Sequence, residues 1–122
     1  MNAGGTLLAS HITDHRRTAD GFAAFTRLSA EDGRHVTIRS SLPAVVEPEV
    51  ETPLEWELAF FVPFALLEKH VGPVGPPGGQ RWQANLYKCG DATSHPHWAS
   101  WSPVDALNFH LPHCFGTLLF EP

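Results

Sequence analysis

The sequence predicts an all-β chain, an antiparallel β-sandwich with one or two short helices. Eleven Pro and ten Gly in 122 residues interrupt the backbone too often for long helices. Five or six short runs alternate apolar and polar residues at the two-residue period of a strand, with turn-forming clusters between them. The length suits a single domain spanning 1–122.

Taken in order, residues 5–10 read as a first strand, and the polar, basic run 11–20 as a solvated loop. Phe22, Phe25 and Leu28 fall three apart, so a short helix is expected over 21–28 with Asp20 as its cap, although Gly21 weakens it. An Asp-Gly turn at 31–34 precedes an alternating strand over 35–42. Residues 43–53 carry three Pro and three Glu and read as an exposed edge or loop. Residues 54–62 (LEWELAFFV) read as a strong strand, stopped by Pro63, which suits the first turn of a helix over 64–70. GPVGPPGG at 72–79 can only be a loop, and it lacks the Gly-Lys-Ser/Thr ending of a phosphate loop. Residues 81–88 alternate as a strand, 89–94 turn, 97–101 form a short aromatic strand, and 115–121 form the last one.

Composition removes several functions. The net charge is −5 and no basic block occurs, which argues against a nucleic-acid partner. No apolar run approaches the roughly 20 residues that span a bilayer, and no signal peptide is read at the N-terminus. The opening residues read as the inside of a strand. Cys89 and Cys114 would pair only if their two strands were neighbours; otherwise two buried thiols are expected.

Residues 79–121 hold three of the four Trp, the only Tyr, both Cys and four of the eight His, so function is expected there. Trp82, Tyr87, Trp98 and Trp101 offer flat apolar rings, and Arg81, Asn85, Lys88, Asp91 and Asn108 offer hydrogen-bonding groups near them. A sugar needs that combination: its C–H face packs on a ring while polar groups take the hydroxyls. Trp98 and Trp101 are three apart and face opposite sides of a strand, one as a ligand platform and one as core. His95, His97, His110 and His113 are the metal-ligand candidates, with Cys89 and Cys114 also zinc-competent and His110, His113 and Cys114 compactly spaced, but without a recognised zinc spacing. Asp91 and Asp105 lie in turn-like sequence and make a poor glycosidase pair.

The series NAGGTLLAS, SSLP, W-E-L before an apolar run and Pro, RWQANLYKCGD, HPHWASWSPV and NFHLPHCFGTLLFE resembles the C-terminal part of carbohydrate-binding module family 9-like domains. These are DOMON-like β-sandwiches, and the resemblance covers essentially the whole chain. It implies a jelly-roll-like sandwich that binds a mono- or oligosaccharide without catalysis, often at a chain end between aromatic rings. It also implies an extracellular or periplasmic location, frequent attachment to a glycoside hydrolase, and no required cofactor beyond structural calcium, with zinc less favoured. Trp98 or Trp101 would then be the stacking ring, and Arg81, Asn85 and Asp91 hydroxyl partners or supports.

Two departures from the family accompany the resemblance. Strands that precede the position of Asn2 in family members have no counterpart, and His113 stands where relatives carry an acidic residue. Missing strands would expose apolar edges, so a homodimer through residues 54–62 or 5–10 is expected. The alternatives are a His-rich metalloprotein and a truncated sandwich acting as an interaction domain.

Overall fold

A computed structural model describes residues 1–19 and 21–122. The fold class is the one expected, all-β and antiparallel, of the sandwich class, with short helices. Eight strands pair as four antiparallel ladders of two. The chain divides into two compact units, Met1–Val74 and Gly75–Pro122.

The first unit contains the largest departure from the sequence reading. β1 (Ser10–Thr18) and β2 (Gly21–Arg27) form a hairpin where a loop and a helix were expected. β1 is polar, and the apolar residues of β2 (Phe22, Ala23, Ala24 and Phe25) do not alternate because both faces of the ribbon are largely exposed, so no two-residue period marks it. Its ladder is held by backbone hydrogen bonds and by local pairs instead. Arg16 and Asp14, two apart on one strand face, form a two-pronged ion pair at 2.6–3.1 Å. The Arg17 guanidinium lies 4.8 Å from the centre of the Phe22 ring. Gly21 adopts φ 125°, a turn conformation that a helix could not use. The helix-cap expectation for Asp20 lies outside the described residues.

Residues 5–9 are not a strand; the ladder begins at Ser10. The Asp-Gly turn is instead a helical turn, α1 (Ala30–Gly33), whose Ser29 hydroxyl accepts the Asp32 N–H at 3.0 Å. β3 (Thr37–Ser40) pairs with β4 (Leu58–Phe61), so only half of the strong strand expected over 54–62 is laddered. α2 (Phe64–Val71) starts after Pro63 and ends at Gly72, which takes φ 85° while its N–H reaches the Glu68 carbonyl. Leu66 on α2 is 7% exposed and is the buried hydrophobic residue among those described.

Asp32, also buried, ties α1 to α2. Its carboxylate accepts from Lys69 Nζ at 2.7 Å, and His70 Nε2 lies 3.6 Å from its other oxygen. The Lys69 ammonium holds the Asp32 carboxyl below its ordinary value of 3.8.

In the second unit, β5 (Arg81–Ala84) pairs with β8 (Gly116–Leu119), and β6 (Tyr87–Gly90) with β7 (His97–Ser100). The single strand expected over 81–88 is therefore two strands serving two different ladders. Cys89 and Cys114 are both free thiols, because β6 does not neighbour β8. Cys89 is exposed rather than buried.

Apolar surface is poorly covered. Phe60 and Phe61 on β4 are 53% and 62% exposed, and Leu8, Leu54, Leu86 and Leu119 are exposed as well. The chain exposes 9269 Å². Two separate compact domains of these lengths would expose roughly 7,800 Å² between them by the usual surface scaling. The excess holds whatever the arrangement of the units.

The lowered Asp32 value sets a pH dependence. A carboxyl whose folded value is depressed stabilises the fold above its unfolded value and loses that contribution as pH falls through the folded one. Urea midpoints should therefore fall below about pH 3.8 in the parent chain. Asp32→Asn should be less stable than the parent at pH 7, and the gap should close in acid.

Candidate functional site

The second unit is built around a break in the backbone at Asn85. Its Oδ1 accepts from the N–H groups of Leu86 and Ser102, both at 2.9 Å, and its Nδ2 donates to the Ser102 carbonyl at 3.0 Å. One amide thus holds the exit of β5, the entry of β6 and the exit of β7. Both acceptor positions of Oδ1 and one N–H of Nδ2 are thus committed to the backbone.

Register sets which side chains share a face. Cys89 stands opposite Trp98, and Tyr87 opposite Ser100, so these four lie on one side of the β6–β7 hairpin. Lys88, Ala99, Gly90 and His97 lie on the other. The Trp101 N–H donates to the Leu86 carbonyl at 2.9 Å, which extends the pairing and puts Leu86 and Trp101 with Lys88. Trp98 and Trp101 do face opposite sides, as the sequence implied. Neither is core: they are 43% and 51% exposed.

A shallow depression of about 360 Å³ is lined by Leu86, Tyr87, Lys88, Ala99, Ser100 and Trp101. A Cβ on Gly116 would lie 2.9 Å from the Trp101 ring, so the ring rests directly on the β8 backbone. Only glycine leaves room for that seat. At the far end of the hairpin the His97 ring lies over Gly90 in the same way. His97 Nδ1 is 2.7 Å from the His95 carbonyl and must donate to it, so its Nε2 is the acceptor facing Lys88 Nζ. Both nitrogens of His97 are therefore engaged.

The remaining sequence candidates separate into packing, turn and exposed groups. Trp82 is half-buried, stacks edge-on against Phe120 at 4.9 Å and donates from Nε1 to Gln80. Tyr87 packs on Phe109 at 4.9 Å, with its hydroxyl enclosed and unpartnered among the described residues. The Asn108 oxygen accepts the His110 N–H at 2.9 Å and shapes a turn. Arg81 on β5 and Asp91 in the 91–96 turn are exposed.

The four His expected as metal ligands do not converge among the described residues. His113 joins Asp105 and Cys114 instead, with one ligand atom from each lying within 4.8 Å of the others. His113 Nε2 is 2.9 Å from Asp105 Oδ2, and this hydrogen bond holds the Asp105 carboxyl below its ordinary value. Calcium takes six to eight oxygen ligands, so a group supplying nitrogen and sulfur does not fit it. The sequence reading placed His113 and Cys114 together and missed Asp105 as their partner. Its separation from them, eight and nine positions, matches no familiar motif, and only the loop's path joins them.

The sequence pattern of carbohydrate-binding family 9 matches residues 15–120. The chain belongs to carbohydrate-binding family 9. A crystal structure of a candidate carbohydrate-binding protein from Bacteroides uniformis ATCC 8492 is similar to this family 9 chain. The two share 34% identity at a TM-score of 0.63, over 83% of this chain and 47% of that one. The chain thus spans about half the length of that protein. No curated protein matches it. Among the described residues, no helix is long and apolar enough to cross a membrane.

The Asn85 clamp makes a stability prediction. Asn85→Ala removes three hydrogen bonds to half-buried backbone and should cost about 1–3 kcal/mol. Asn85→Asp keeps the two accepting bonds and should lose less. Urea unfolding followed by Trp fluorescence measures both.

Proposed function

We propose that this family 9 chain is a non-catalytic sugar-binding domain whose platform is Trp101. The carrying observation is the ring's setting. Trp101 is half-exposed, seated on Gly116, and borders a depression on the face that carries the Lys88 side chain. A pyranose stacked on the open ring face could direct hydroxyls to Lys88 and the exposed backbone edge of the hairpin. The shallow, open form of the depression suits the terminal units of a chain, which enter from one side. Asn85 and Gly116 position the ring; Trp82 and Asn108 serve the scaffold. Arg81 and Asp91 remain available for longer ligands.

Trp98, on the opposite face with Cys89, is the alternative platform, and titration calorimetry with mono-, di- and oligosaccharides separates the two. Trp101→Ala should weaken binding by about 1–3 kcal/mol, by analogy with other planar ligands stacked on aromatics. Trp98→Ala should leave affinity near the parent value. The reverse pattern would move the site to the other face. Heat silence from the folded chain with every sugar would remove the binding reading altogether.

The family supports an extracellular or periplasmic setting and association with polysaccharide-degrading enzymes. The exposed Phe60, Phe61, Leu54 and Leu8 side chains support a homodimer that buries these apolar edges. Light scattering over a concentration series should give twice the chain mass at high concentration. The mass of one chain throughout would leave the edges exposed and the interaction reading without support.

A further inference from the structure

We infer that Asp105, His113 and Cys114 form a site for a thiophilic divalent cation, of which zinc is the type, in the loop behind the proposed sugar platform. The inference does not rest on sugar binding. It starts from the local backbone. Pro112 opens a 3-10 turn (Pro112–Cys114), in which Cys114 N–H donates to the Leu111 carbonyl at 2.9 Å and Phe115 N–H to the Pro112 carbonyl at 3.2 Å. That turn fixes His113 and Cys114 as neighbours on a short, tightly hydrogen-bonded segment. The loop between Ser102 and this turn folds back, so Asp105 meets them across eight residues.

The donor chemistry is specific. Imidazole nitrogen, carboxylate oxygen and thiolate sulfur are the three ligand types zinc uses, at about 2.0–2.3 Å from the ion. Tetrahedral ligands at those lengths lie about 3.3–3.8 Å apart. The three atoms here are already within 4.8 Å of one another, and His113 and Asp105 are in contact. Side-chain rotation of roughly 1 Å therefore closes the triad without moving the turn. Asp105 and His113 are exposed and Cys114 is half-buried, so the fourth position stays open to water. On binding, the Cys114 thiol gives its proton to solvent and the ion takes its place.

The site also has a structural consequence. The clipped segment carries Phe109, which packs on Tyr87, and Tyr87 lines the depression beside Trp101. An ion joining Asp105 to Cys114 would close the loop that supports that contact.

The test uses the full chain, stripped with chelator and titrated with cobalt(II) as a spectroscopic stand-in and then with zinc chloride. One equivalent of cobalt should give intense visible bands of tetrahedral coordination and a near-ultraviolet thiolate charge-transfer band, both removed by zinc. Cys114→Ser should abolish the charge-transfer band. His113→Ala and Asp105→Asn should each weaken binding roughly ten-fold or more. Cys89→Ser should change nothing, and circular dichroism confirms that each variant is folded. The site is wrong if the wild-type chain gives no thiolate band at millimolar cobalt. It is also wrong if the band survives Cys114→Ser or is lost with Cys89→Ser.

Discussion

The second unit depends on one side chain. Asn85 satisfies the backbone where the chain leaves one ladder and enters another, and it does so with three hydrogen bonds to two residues. Without such a partner, the Leu86 N–H and both backbone groups of Ser102 would be stranded at the junction. The clamp explains why β5 and β6, adjacent in sequence, serve different ladders. It also sets the hairpin register that sends Trp101 to the face carrying Lys88, and Trp98 to the other.

A second constraint is the shortage of buried apolar side chains. The ladders satisfy the backbone, yet Leu66 is the buried hydrophobic residue among those described, and several Leu and Phe side chains are exposed. Hydrophobic burial normally supplies the largest favourable contribution to folding. Here local polar devices hold the elements: Ser29 capping α1, Asp32 joining α1 to α2, Asp14 gripping Arg16, and the Ser40 hydroxyl donating to the Ala3 carbonyl at 2.6 Å. The same economy leaves aromatic rings at the surface. Trp101, Phe60 and Phe61 are each about half exposed or more.

The loop from Ser102 to Cys114 links these two themes. It places Phe109 against Tyr87, shapes a turn with Asn108, and returns His113 and Cys114 to Asp105.

The sequence by itself determined the fold class, the position of α2 after Pro63 and the proline-rich loops. Each is local: proline removes a donor, alternation sets two faces, and both act within a few residues. It also determined that Trp98 and Trp101 face opposite ways, since three steps along a strand reverse the side. Only the tertiary structure decided the rest. The β1–β2 hairpin has largely exposed faces and its Phe22 and Phe25 fall three apart, so no two-residue period announces it, and its pairing comes from backbone hydrogen bonds between the strands. The break at Asn85 required Ser102, seventeen positions on, to give the amide its partners. Trp101 stayed at the surface because its ring found the bare backbone at Gly116. Asp105, His113 and Cys114 meet because a 3-10 turn brings a loop back on itself. Contacts that join distant residues are set by chain path and register, and a local period carries no record of either.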